Sequence, residues 1–320
     1  GQTVTVTLTG VTVATNGIQI NTGKVDNIIL TDGGAASAIN AGGVSISSLT
    51  GSNSVNFTGG TTVAGGLTVT GSAGASITSN GSISGGGDAV VASSSAGPVT
   101  INLDGAALIN GAGNYGIWGT TTSGSVTISD TGNAVTAGVT GVVVKASGAS
   151  ASVTTGGTVQ ATAGGNTIYV TNAAGTIAID ATAGAQTAGF AGIYADNQAG
   201  AGGKIDIKSA ALTASGAGQI GIDARGKGGA IAIDSTAGTI KSTNGVAISA
   251  KSSDGNAISV TAAAITAGGT GVSATAGGAG DDDVTVKTSG AIDIAAGGST
   301  GITATISSGT GDVVVKSTGA

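Results

Sequence analysis

From Val99 onward, β-branched residues alternate with small or polar ones in short phrases that each follow a turn. Phrases of the form [VI]-x-[VI] begin at Val99, Val126, Val153, Ile177, Ile205, Ile231, Ile258, Val284 and Val313, the one at Val153 being degenerate (VTT). Their steps run from 24 to 29 residues and average about 27. Alternation of period two marks strands with one buried face, so Ile177 and Ile179 point one way while Ala178 and Asp180 point the other. IAIDATAG at 177–184 returns as IAIDSTAG at 231–238, 54 residues on, which is two such periods. Starts at Ile18, Val44 and Leu67 continue the same series less evenly.

A second phrase recurs within each period behind a Gly-rich turn, at Ile117, Val142, Ile168, Ile193, Ile222, Val246, Val272 and Ile302. Between the two lies a looser apolar segment, near Leu108, Val135, Val159 and Ile240. Each repeat therefore predicts three short strands and three turns. A unit of this size cannot bury its own apolar side chains and must stack on copies of itself. The expected fold is all-β: a right-handed parallel β-helix of about 12 coils, the hand following the crossover rule. Coils about 4.8 Å apart would make a single rod of roughly 57 Å. Residues 1–320 then form one domain, with less regular coils over 1–98 and regular ones over 99–317. A sandwich needs no such echo, a propeller blade needs a longer unit, and a left-handed hexapeptide helix would keep a stricter register.

Composition decides what fills such a solenoid. The chain is 40% hydrophobic yet has no Met or Cys, two Phe and one Trp, so the interior is built mainly from Ala, Val and Ile. Sixty-three glycines and one proline, Pro98, fit many turns and no long helices. A Gly/Ser-rich chain of this kind would read as a linker but for its regularly spaced β-branched residues. Charged residues are 8% of the chain and the net charge is −6, without a basic footprint for nucleic acid or anionic membrane. No apolar run reaches the ~20 residues of a membrane-spanning helix. With no cysteine there is no disulfide framework.

The order V-T-I, then a T-A-G turn, then G-I-x-A-x-x-x-x-G-G resembles the Gly/Ala-rich passenger domains of autotransporters, the type V-secreted surface proteins of Gram-negative bacteria. The likeness is clearest from Val99 to Ser317 and rests on pattern, without a signature residue. It implies a right-handed parallel β-helix exported to the cell surface or beyond, with a stalk or adhesin role; the residues themselves call for no catalytic centre. The segment has neither a leader before Gly1 nor a translocator barrel after Ala320, so it reads as part of a longer chain or a processed passenger, meeting the membrane only through that missing region. Expected partners are a host-surface or glycan ligand, or neighbouring copies through the coil ends; no cofactor is called for. The alternatives are a self-assembling filament or surface-layer subunit and a glycan-binding or glycan-degrading β-helix.

Candidate chemistry is sparse. The stretch GGAGDDDVT at 277–285 fits the calcium-binding nonapeptide of RTX rolls, with Asp282 at the aspartate position. It stands alone, whereas those rolls gather the 6–8 oxygens of a calcium shell from consecutive repeats. It reads as a solvated acidic turn, with a weak calcium site as the alternative, and no metal site is assigned. A glycan-cleaving enzyme needs paired acids or a base with cationic neighbours in one groove. The chain has no His and a single arginine, Arg225, and Asp180, Lys208 and Asp234 read as an outward ion-pair ladder. A flat ice-binding threonine array fails because the outward positions run Thr100, Thr127, Thr154, Ala178, Asp206, Ala232, Ser259 and Thr285. The outward position of the second phrase holds Trp118, Val143, Tyr169 and Tyr194 in successive repeats. Those side chains should face solvent or a loop, either stacking on one another or forming an apolar patch for a ligand.

Overall fold

A computed structural model describes residues 2–319, apart from 24–26, 106–107, 198–202, 279, 281, 296 and 299. The described residues contain strands and turns and no helix, and every strand belongs to one of three parallel sheets, to which the coils, about 12 in all, contribute in turn. Two compact units divide the chain, residues 1–159 and 160–320. The fold is a parallel β-solenoid.

In the second unit the first sheet aligns Ile177, Ile205, Ile231, Ile258 and Val284 in one inward column. Ile179, Ile207, Ile233, Val260 and Val286 form the next column, and both are at most 2% exposed. Each such side chain removed from water contributes about 1.5–3 kcal/mol, which opposes the backbone entropy that strand formation loses. The third sheet faces them with Ile193, Ile222, Ile248 and Val272 beside Ala195, Ala224, Ala250 and Ala274. The interior is narrow, so large residues on one wall require small ones opposite. At Gly119, which takes the alanine position in the first unit, a Cβ would approach Val126 Cγ1 to 2.7 Å. The glycine that precedes Ile222 is crowded too: a Cβ on Gly221 would lie 2.5 Å from the Ala247 carbonyl oxygen and 2.9 Å from Ile240 Cγ2.

The duplicated phrase is the same strand and turn, two coils apart. Ile177 aligns with Ile205 and then Ile231. The exchanged residues Ala181 and Ser235 are both fully buried at the ends of their strands. Beyond them the repeated Asp-x-Thr builds identical turns. Asp180 Oδ1 accepts from the Thr182 amide and hydroxyl (3.2 and 2.7 Å), and Asp234 Oδ1 accepts from Thr236 in the same way (3.0 and 2.7 Å).

Register differs from the sequence expectation in three places. Val126 and Ile128 align with Ala151 and Val153, so the inward pair begins at Ala151 and its outward residue is Ser152, not Thr154. Ile222 aligns with Ile248, so that phrase starts two residues after Val246. Ile18, Val44 and Leu67 belong to the third sheet, in line with Val90 and Ile117, and not to the first. The first sheet of that region instead buries Ile28 and Leu30, Asn53 and Val55, and Ala75 and Ile77. Asn53 holds an inward place through hydrogen bonds. Its Oδ1 accepts from the Ile28 amide (3.2 Å) and the Ser48 hydroxyl (3.0 Å), while its Nδ2 donates to the Thr70 carbonyl.

Candidate functional site

The outward second-phrase residues divide between the two units. In the first, Trp118 aligns with Val143. Trp118 is half-buried, meets Tyr115 edge-on (5.2 Å, 81°) and has Lys145 Nζ 5.8 Å from its ring centre. Val143 is 4% exposed, so the expectation that it faces solvent is wrong: an aliphatic side chain beside an indole on the adjoining strand keeps little contact with water.

In the second unit the strands Ile168–Asn172, Ile193–Asp196 and Ile222–Gly226 lie side by side and place Tyr169, Tyr194 and Asp223 in one outward column. Two residues further along, Thr171, Asp196 and Arg225 form the next column. The tyrosine rings stack in parallel at 4.9 Å and 7°. Arg225 lies over the Tyr194 ring at 5.2 Å, so the phenol is held between an aromatic face and a cation. Asp223, 5% exposed, accepts from Arg225 Nη2 (2.7 Å) and Nε (3.0 Å) and fixes the guanidinium there. Tyr194 in turn donates its hydroxyl hydrogen to Asp196 Oδ2 at 2.7 Å.

These side chains form one wall of a groove of about 280 Å³, completed by Asn166, Phe190, Ala191, Gly218, Gln219 and Ile220. Phe190, at 46% exposure, offers an apolar ring, and the amide side chains of Asn166 and Gln219 add hydrogen-bonding groups. Burial and the Asp196 carboxylate both raise the Tyr194 pKa, so the phenol stays protonated. The hydrogen bond to Asp223 raises that of Arg225, which stays charged. The groove thus offers flat rings beside polar groups at its rim.

No family model, curated protein or solved structure matches this chain. The sites have to be read from their own geometry. A larger hollow of about 340 Å³ in the first unit is lined by Thr3, Ile29, Ser54, Ser76, Pro98, Thr100 and similar neutral residues, with no charged or aromatic side chain.

Two further expectations change. Asp180, Lys208 and Asp234 do share a column, but the ion pairs described run along a strand, Lys204–Asp206 and Arg225–Asp223, while Asp180 and Asp234 cap their own turns. Asp282 is not solvated: it is 0% exposed. Ala279 and Asp281 of that stretch lie outside the described residues. Sequence reasoning found Tyr169 and Tyr194 but missed Asp223, Arg225 and Phe190. The signal for the first two was present, since Asp223 occupies in GIDA the place of Tyr194 in GIYA, and the chain's single arginine follows two residues later.

Proposed function

We propose that this chain is a non-catalytic adhesive β-solenoid of the autotransporter-passenger kind, displayed at or released from the surface of a Gram-negative bacterium, and that it binds glycan in the Tyr169–Tyr194 groove. The observation that carries the reading is the tyrosine pair, clamped by Arg225 and Asp223 beside the exposed Phe190 ring. A sugar presents apolar C–H faces and a rim of hydroxyls, and this groove offers rings for the first and Asn166, Gln219 and Arg225 for the second. The clamp holds the rings in place before binding, which lowers the ordering cost of recognition. A solenoid suits display because each coil needs only its neighbours for stability, so outward residues vary without disturbing the interior.

The non-catalytic reading has its own support. The carboxylate that lines the groove, Asp223, is taken up by two hydrogen bonds from Arg225, and the Tyr194 phenol is kept protonated. Arg225 and Asp223 neutralise each other. The test is binding of the purified chain to a panel of immobilised oligosaccharides, beside the double variant Tyr169→Ser/Tyr194→Ser and Phe190→Ala. Binding by the parent, lost in both variants while far-UV circular dichroism is unchanged, is the expected result; equal binding by all three removes the groove from the account. Protease treatment of intact cells carrying the full-length protein tests the surface location, and resistance to cleavage in intact but not lysed cells would oppose it.

A further inference from the structure

The turn column between the third and first sheets of the second unit contains a buried aspartate that the adhesive reading does not use. Asp282 precedes the strand Val284–Thr288 and is 0% exposed, and neither of its carboxylate oxygens has a hydrogen-bond partner. Asp32, another buried aspartate beside a strand end, is by contrast fully partnered. Its carboxylate accepts from the Thr61 hydroxyl (2.8 Å) and from the amides of Gly59 (2.8 Å), Gly34 (3.0 Å) and Thr58 (3.2 Å). Burial alone would raise the pKa of Asp32, yet those four donors lower it. Nothing comparable is supplied to Asp282. An isolated buried carboxylate is costly unless it is paired or binds a metal.

What surrounds Asp282 is glycine and carbonyl oxygen. The turns before and after it are knitted to its own: the Gly255 amide donates to the Gly277 carbonyl (2.9 Å), and the Thr310 amide to the Gly280 carbonyl (3.3 Å). A Cβ on Gly255 would stand 2.9 Å from Asp282 Oδ1. On the other side, a Cβ on Gly309 would stand 2.7 Å from Gly280 O, 3.2 Å from Asp282 Oδ2 and 3.4 Å from Gly278 O, so three oxygens converge on one face. Gly255 and Gly309 have φ of +76° and +116°, so side chains are strained there as well as crowded. Asp254, Asp283 and Asp312 lie in the same three turns, and no ion pair to any of these aspartates occurs among the described residues. Asp283 is engaged through Oδ1 with the Asp312 amide at 2.9 Å.

We infer that Asp282 is the anchor of a calcium site in the turn between the strands Thr270–Ala276 and Val284–Thr288. Its carboxylate supplies the charge, the carbonyls of Gly278 and Gly280 supply neutral oxygens, and water completes the 6–8 ligands that calcium takes. Among the described residues no three acidic side chains gather around one point, which is why carbonyls carry much of the shell. This inference is independent of the glycan groove.

The test uses the whole chain stripped with EDTA and titrated with CaCl2, following the melting temperature and, separately, the heat of binding. A saturable rise in Tm and a binding heat near one ion per chain are expected. Asp282→Asn should remove the Tm rise and weaken binding at least tenfold, while Asp254→Asn retains most of both. A Tm unmoved by CaCl2 in the parent, or an Asp282→Asn chain that responds as the parent does, overturns the inference. So does a carboxylate that is merely protonated, which would show as a Tm falling with rising pH and indifferent to CaCl2. If Asp282→Asn fails to fold, the calorimetric titration of the parent decides alone: no binding heat rejects the site.

Discussion

Asp130 offers a direct measure of how the solenoid treats a buried charge. It is 0% exposed; its Oδ1 accepts from the Asn133 amide (3.2 Å) and side-chain amide, and its Oδ2 has no partner. Desolvation raises its pKa from 3.8 to about 6, against the lowering effect of the Asn133 hydrogen bonds and with a smaller push from the Asp104 charge. The native state therefore binds a proton more tightly than the unfolded chain does. Between pH 3.8 and about 6 the native state carries more protons, so the stability that this group contributes falls as the pH rises through that window, and it is level on either side. A difference of about 2 pKa units corresponds to about 3 kcal/mol. Asp130→Asn is neutral throughout and keeps an Oδ1 acceptor for Asn133. Urea denaturation of both chains from pH 3.5 to 7.5, followed by circular dichroism, isolates the effect as a difference, because other titrating groups cancel. The variant should match the parent near pH 3.5 and exceed it by up to about 3 kcal/mol at pH 7, with the change centred between pH 4 and 6. A difference that is flat across this range refutes the reasoning, and one that grows toward low pH reverses its sign.

Other consequences follow from the packing. Ile231→Ala empties one place in the first-sheet column and should cost about 2–5 kcal/mol by denaturation, whereas Ala232→Ser on the outward face should cost less than about 0.5 kcal/mol. Gly221→Ala drives a methyl into the Ala247 carbonyl and Ile240 and should lower stability by about 1–3 kcal/mol, while Gly86→Ala, with nothing within 4 Å of the new carbon, should be neutral or raise it by about 0.4–1 kcal/mol. Asn53→Ala strands the buried Ile28 amide and should cost about 1–3 kcal/mol, read as faster hydrogen exchange at Ile28.

Strand existence and repeat length were legible because the stacking of identical coils leaves the same period in the sequence. Register was less so. At Ala151 the inward place is filled by a residue that carries no β-branched signal, and the eye moves to Val153. In the first 98 residues the strands at Ile18, Val44 and Leu67 look like first-phrase strands, since all three sheets use the same alternation and differ only in what they face. The tyrosines could be placed together because they share one position of one phrase. Their completion by Phe190 depended on a turn whose path the repeat does not specify.

The sequence by itself determined a β-solenoid of Val, Ile and Ala columns, because period-two alternation and a repeat of about 27 residues permit few other ways to bury such small units. Only the tertiary structure decided which polar residues lost their water. Asp32, Asp130 and Asp282 look alike in sequence, as aspartates near strand ends, yet one is surrounded by donors, one is half satisfied and one lies near carbonyls. The reason is physical: the solvation of a turn residue is set by the turns of the coils before and after it, some 25 to 30 residues away in the chain, as the bonds from Thr58 to Asp32 and from Asp312 to Asp283 illustrate.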